Sequence, residues 1–232
     1  MAMGSTLVLG GGGQAGIAWI TGLLAGLAEA GQDVTGADLV IGTSAGATVA
    51  AQLGSGLGLD ELFARQVEPA LQSREVMVEL DLAKFGAEIQ AYMARAVSPE
   101  DTLRQFGRFA LDAQTVPEAE RRAVPGVWPP VTIDGRRYMD GGVRSPDNAD
   151  LAAGAERITV ISPSGMDTAL PTLLSLREAV AALSAGGASV TVVSPDKASL
   201  AAFGTNALDP ATRIPAATAG RAQGRAGLPP AL

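Results

Sequence analysis

The chain has 232 residues, of which 47% are hydrophobic, 18% charged and 4% aromatic, so aliphatic and small side chains can build a sizeable core and disorder is excluded for most of the length. It contains no cysteine and no histidine, which together remove disulfides, thiolate and imidazole metal sites, a cysteine nucleophile and any Ser-His-Asp triad. The formal net charge is −7 and no basic residue precedes Arg65, so no nucleic-acid partner is expected.

No Ser/Gly-rich or acidic linker divides the chain, which reads as one domain over 1–208 followed by an Ala/Gly/Pro-rich tail over 209–232 that is expected to fray. Residues 1–28 are uncharged. They lack the Lys or Arg of a signal-peptide n-region and are broken by Gly10-Gly11-Gly12-Gly13, so the stretch reads as mature protein and the expected location is the cytoplasm. A second uncharged run, 39–59, carries too many glycines and hydroxyl residues to read as a membrane span and is assigned to the core.

In chain order, Thr6-Leu7-Val8-Leu9 is a short apolar run ended by four glycines. Ile17, Ile20, Leu23, Leu24 and Leu27 then recur at helical spacing up to a C-cap at Gly31. Asp38-Leu39-Val40-Ile41 breaks at Gly42, and a helix resumes from Ala45 to Leu53. Apolar strands joined by a crossover helix imply a parallel pair buried on both faces, hence an α/β fold with a mostly parallel sheet flanked by helices. The stretch 59–120 is mostly helical in pattern, with N-cap signatures at Ser98-Pro99-Glu100-Asp101 and Thr115-Val116-Pro117-Glu118. Val131-Thr132-Ile133, Asp134-Gly135 and Arg136-Arg137-Tyr138-Met139 read as a hairpin that delivers Asp140-Gly141-Gly142. Ile158–Ile161 and Val190–Val193 are predicted strands around a helix at about 172–185.

Two motifs carry chemistry. Gly42-Thr43-Ser44-Ala45-Gly46 fits G-x-S-x-G between a strand and a helix, the setting in which a tight turn lifts a nucleophilic serine clear of the sheet. The glycine run through Gly16 leaves backbone N–H groups uncovered, which suits an oxyanion or a phosphate. Gly11-Gly12-Gly13-Gln14-Ala15-Gly16 also matches G-x-G-x-x-G, so a dinucleotide site with Asp33 or Asp38 as the ribose acid is the rival reading. That rival has no use for an exposed serine on the next strand. With histidine absent, the base for Ser44 is a carboxylate or one of two lysines, Lys84 and Lys197, and Asp140 is singled out by its place at a strand end before two glycines.

These residues resemble the patatin-like phospholipases, serine lipid acyl hydrolases that work with a Ser-Asp dyad. The likeness rests on Gly10–Gly16, on Gly42–Gly46, and on 124–130 running into Asp140-Gly141-Gly142, and it spans most of the chain from Thr6 to about Ser162. It implies a three-layer α/β hydrolase domain, Ser44 as nucleophile, Asp140 as base, and the amides of Gly11, Gly12 and Gly13 as the oxyanion hole. Gly42, Gly46, Gly141 and Gly142 support the two turns. The implied substrate is a lipid or fatty-acyl ester, with peripheral membrane contact and with no cofactor or metal; a non-catalytic binding module on the same fold is the alternative. Two departures stand out. Ala15 occupies the place where the family usually has Arg or Lys, and the segment before Ala123 is shortened, which predicts strands missing from the sheet and unpaired backbone beside the gap.

Overall fold

A computed structural model describes residues 3–72, 91, 94–95, 97–98, 101, 104–105, 108, 131–133, 136–138, 141–167 and 174–232. The chain forms two compact units, one made of 1–72 with 144–232 and the other of 73–143.

In the first unit, β1 (Met3–Leu9) is followed by α1 (Gly13–Glu29), β2 (Leu39–Gly42), α2 (Ala45–Leu53) and α3 (Leu59–Val67). In the second unit, β3 (Val131–Ile133) and β4 (Arg136–Tyr138) pair as the expected antiparallel hairpin. The first unit then continues through β5 (Ala155–Ile161), α4 (Leu176–Ala185), β6 (Ser189–Val193), α5 (Lys197–Phe203) and α6 (Arg213–Arg225). Four strands make one parallel sheet in the order β2-β1-β5-β6. The fold is α/β, as the apolar runs imply.

Alternation along β1 explains the two covering layers. Leu7 and Leu9 point into a core with Trp19, Ile20, Leu23 and Val49, while Val8 points to the other face with Ile158, Val160, Leu176 and Val190. The second core is aliphatic, and the first adds Trp19 and Phe203 to its aliphatic side chains. The gap predicted from the shortened middle is not found in this sheet: β1 pairs directly with β5 over Met3 to Leu9, so no interior strand is left without a neighbour. At the β6 edge, Leu232 N–H donates to the Val190 carbonyl at 2.9 Å.

Several local expectations hold. Gly31 follows the end of α1 at φ +75°, the left-handed position that glycine occupies without strain. Ser98 Oγ accepts the Asp101 N–H at 3.1 Å as an N-cap would, and α4 opens on a complete capping box, Ser175 with Glu178, which was not foreseen. The second predicted cap, at Thr115, and the Pro-Gly segment 123–130 lie outside the described residues. Among the described residues, no helix is long and apolar enough to cross a membrane.

The tail does not fray as composition suggests. Residues 213–225 form α6, which lies on α1 so closely that Cβ atoms at Gly220 and Gly224 would overlap the carbonyl oxygens of Trp19 and Leu23, and those at Gly22 and Gly26 would overlap the backbone of α6. Small residues spaced by four on both helices let the two backbones touch, and the lack of side chains that weakens an isolated helix is what permits the contact. Gln223 of α6 ties the junction together. Its Oε1 accepts from Trp19 Nε1 (3.2 Å), Ser199 Oγ (2.9 Å) and the Asp196 N–H (3.1 Å), while its Nε2 donates to the Ser194 carbonyl at 2.7 Å. Trp19 meets Phe203 edge-on at 5.9 Å. At the far end of α1, Arg221 and Arg225 both bind Glu29, whose carboxyl they hold down at about 2, and Arg221 also lies 4.4 Å over the Phe63 ring.

Replacing Gly220 by Val should therefore destabilise the protein by at least about 1 to 3 kcal/mol, the usual range for overpacking, whereas Gly36→Ala, with open space around its Cβ, should be nearly neutral. Urea midpoints of the two variants test this. Equal midpoints would show that α6 does not seat on α1 as described.

Candidate functional site

In a parallel sheet all strands end at the same edge, and here the paired ends are Leu9 with Gly42, Leu9 with Ile161, and Ile161 with Val193. The chain leaving β1 is the glycine loop, and the chain leaving β2 is the turn that carries Ser44. The two motifs are therefore neighbours because their strands are paired, at the edge where ligands of open α/β sheets usually bind.

Ser44 precedes α2 with φ +50° and ψ −112°, one of two non-glycine residues with positive φ among those described. Such a conformation costs on the order of 1 to 3 kcal/mol and persists only where the surroundings enforce it. The enforcement is visible. Thr43 N–H donates to the Leu9 carbonyl at 2.9 Å, and Gly46 N–H donates to the Gly10 carbonyl at 3.0 Å and the Thr43 carbonyl at 2.9 Å. A Cβ at Gly46 would overlap the Leu9 carbonyl, and one at Gly42 would stand 2.6 Å from Ala47 Cα, so both glycines of the motif are sterically required. Ser44 itself is exposed, and its Oγ makes no hydrogen bond to any described residue.

The glycine loop runs beside it, with the Cβ position of Gly11 3.6 Å from Ser44 Cβ. The structure corrects one expectation here: the Gly11 N–H, counted among three oxyanion donors, is taken up by the Pro146 carbonyl at 2.8 Å. Gly12 and Gly13 remain. Their N–H groups have no hydrogen-bond partner among the described residues, as befits the start of α1, whose partial positive charge favours an anion. Gly13 adopts φ +62°, and a Cβ at Gly12 would lie 2.5 Å from Pro163 Cβ, so a side chain at either position would displace the loop. Ser164 Oγ donates to the Gly11 carbonyl at 3.3 Å.

The turn after Gly142, which sequence reasoning did not connect to the site, holds both motifs. Pro146 binds Gly11 as above, and Asn148 Nδ2 donates to Thr43 Oγ1 at 3.0 Å and to the Ser145 carbonyl at 2.9 Å. Asn148 is the second of the two non-glycine residues with positive φ (51°), a conformation asparagine tolerates better than most. Arg144 secures it, donating to Asn148 Oδ1 at 2.9 Å and bridging to both oxygens of Asp150. A proline followed by two short polar residues just before Ala149, Leu151 and Ala152 was the available signal.

Between these anchors lies Asp147, 1% exposed, with Oδ1 unpartnered and so close to the main chain at residue 10 that a Cβ there would overlap it. Burial pushes its carboxyl up to about 6, with the Ser162 hydroxyl acting in the opposite direction.

Of the predicted site residues, Ser44, Gly11, Gly12, Gly13, Gly42 and Gly46 are brought together. Asp140 lies outside the described residues, and Gly141 and Gly142 open a short 3-10 turn, Gly141–Val143. The rival ribose acids are placed elsewhere. Asp38 precedes β2, at the opposite end of the sheet from the glycine loop, where its Oδ2 accepts the Ser5 N–H at 2.8 Å, and Asp33 Oδ1 closes a turn on Thr35. Comparison of the chain with protein-family models and with curated proteins returns no match.

The Asp147 carboxyl makes stability depend on pH with a definite sign. A folded-state value raised above the unfolded one means that the folded protein holds the proton more tightly. The resulting stabilisation is complete below the unfolded value of 3.8 and is lost as pH rises through about 6. Between pH 4 and pH 7 the wild type should lose on the order of 2 kcal/mol relative to Asp147→Asn, measured by urea unfolding. Parallel pH curves for the two proteins would contradict the burial described.

Proposed function

We propose that this chain is a serine lipid acyl hydrolase of the patatin-like kind, a phospholipase A-type enzyme or carboxylesterase that cleaves fatty-acyl esters. The observation that carries the reading is the strained backbone of Ser44, an exposed serine held at φ +50° between two sterically required glycines at the mouth of a helix. The free amides of Gly12 and Gly13 on the adjacent strand's loop supply what acyl transfer needs next to such a serine. The placement of Asp38 and Asp33 away from that loop weighs against a dinucleotide site.

In this reading Ser44 Oγ attacks the ester carbonyl and Asp140 accepts its proton. The tetrahedral oxyanion is received by the two amides, and its collapse expels the alcohol, which takes the proton back from Asp140. Water then attacks the acyl-enzyme with Asp140 again as base, releasing the acid and regenerating Ser44. The absence of histidine leaves the base to a carboxylate or a lysine, and the place of Asp140 before two glycines favours the carboxylate. No cofactor or metal takes part. A cytoplasmic location with peripheral contact to lipid belongs to the same proposal, and the 47% hydrophobic composition suits an apolar substrate.

A fluorophosphonate probe should label the wild type and leave Ser44→Ala unlabelled, and the wild type should turn over p-nitrophenyl esters. Asp140→Asn should lower that turnover by about a thousandfold or more in a folded protein, and the Ser44/Asp140 double variant should be little worse than either single one, because the pair acts as a unit. Losses that multiply would argue against a dyad. No labelling and no turnover in folded wild type would leave the non-catalytic binding module as the better account.

Gly12→Ala tests the oxyanion loop separately. Its Cβ must push against Pro163, and loss of one oxyanion donor costs roughly a hundredfold to a thousandfold in kcat. An unchanged kcat in a folded variant would mean that these amides do not face the reacting carbonyl.

A further inference from the structure

The proposed reaction has no use for the buried carboxyl of Asp147, yet that carboxyl is built into the support of the reaction's two motifs. Asp147 stands between Pro146, whose carbonyl holds the Gly11 N–H, and Asn148, whose amide holds Thr43 beside the nucleophile. Its Oδ1 is unpartnered and pressed against the main chain at Gly10, two residues before the free amide of Gly12. Among the described residues the groups facing it are few. The end of β1 contributes the Gly10 backbone, the chain after β5 contributes the Ser162 hydroxyl and the Pro163 ring, and its own turn contributes Ser145 Oγ, which accepts the Asp147 N–H at 3.4 Å. The nearest cation along the chain, Arg144, is directed to Asn148 and Asp150. A charge formed there has no described counter-charge, and with little solvent between it and the glycine loop its field reaches the loop poorly screened.

We propose that Asp147 is a positioning residue that makes the anion-binding strength of the Gly12 and Gly13 amides depend on its own ionisation: as the neutral acid it leaves them free to receive a negative oxygen, and as the carboxylate it opposes one. The proposal deepens the hydrolase reading and rests on it for the identity of the anion, but the coupling between carboxyl and amides can be observed without turnover. In the working enzyme the consequence is a decline of kcat on the alkaline side of the Asp147 titration. This rate loss is separate from the acid-side loss expected when the base Asp140 is protonated.

The experiment follows the amide resonances of Gly12 and Gly13 by NMR from pH 4.5 to 8, together with kcat and KM for a p-nitrophenyl ester. In the wild type both amides should titrate together with a midpoint near 6, and kcat should fall about tenfold across that midpoint with little change in KM. In Asp147→Asn the amide titration and the alkaline decline should both disappear. Asp147→Ser, smaller and neutral, serves the same purpose if the asparagine variant does not fold. Amides that do not titrate in the wild type, or that still titrate in a folded neutral variant, overturn the proposal, as does an alkaline decline that survives the substitution. Coupled amides in a protein with no esterase activity would support the coupling and sink the hydrolase reading. Turnover with uncoupled amides would do the reverse.

Discussion

Where α2 crosses the end of β1, two backbones touch, and the Leu9 carbonyl occupies the space that a side chain at residue 46 would need. The whole site depends on that contact. Because the approach is so close, the backbone groups of the turn and of the glycine loop bond directly to each other: Thr43 to Leu9, and Gly46 to Gly10. Those bonds hold Ser44 in a conformation that would relax in an isolated peptide, so the strain at the serine is a property of the sheet edge and not of the five-residue motif. A methyl group at Gly46 would separate the two loops, and the serine, the free amides and the supporting turn would lose their common frame together.

Side-chain absence is used a second time on the same helix. At its start, α1 presents the free amides of Gly12 and Gly13, and further along Gly22 and Gly26 receive the backbone of α6. α6 in turn fixes α1 through Gln223 and Trp19, and through the two arginines on Glu29. The C-terminal segment thereby steadies the helix that carries the amides, even though it contributes no residue to the turn of Ser44. Ala207, just before α6, reaches the loop directly: its carbonyl accepts the Ala15 N–H at 2.9 Å.

The parts of this arrangement that were legible in the sequence are those governed by short-range rules. Apolar runs, two ended by glycine and two by Ser-Pro, gave away the four strands of the sheet, and helical spacing between them gave away α1, α2 and α4. The G-x-S-x-G spacing located Ser44 because its steric logic is local. What escaped depends on distant partners. Residues 213–225 are rich in Ala and Gly with a proline, a composition that reads as weak helix until α1 is there to receive it. The Gly11 amide looked as available as those of Gly12 and Gly13, since nothing in a glycine run announces that Pro146, 135 positions later, will take one of them. Asp147 drew no reading from the sequence, because its burial follows from the direct pairing of β1 with β5, which brings the loops after both strands around it.

Chemistry without imidazole puts an unusual weight on the electrostatics of this edge. An ordinary aspartate titrates near 3.9 in water and a serine hydroxyl is a far weaker acid, so in a Ser-Asp reaction the proton moves uphill and the developing oxyanion is the place where that cost can be offset. In the proposed reaction, with Gly11 engaged by Pro146, two amides would carry the share that three were expected to carry, helped by the positive ends of α1 and α2, which both begin at the ends of adjacent strands. Against such a modest reserve, one unscreened negative charge behind the loop is not a small perturbation. A threonine or asparagine at position 147 would fill the same space in the turn without that liability. On the coupling proposed above, the buried Asp147 carboxyl, its Oδ1 unpartnered, opposes a negative oxygen at the amides whenever it is ionised.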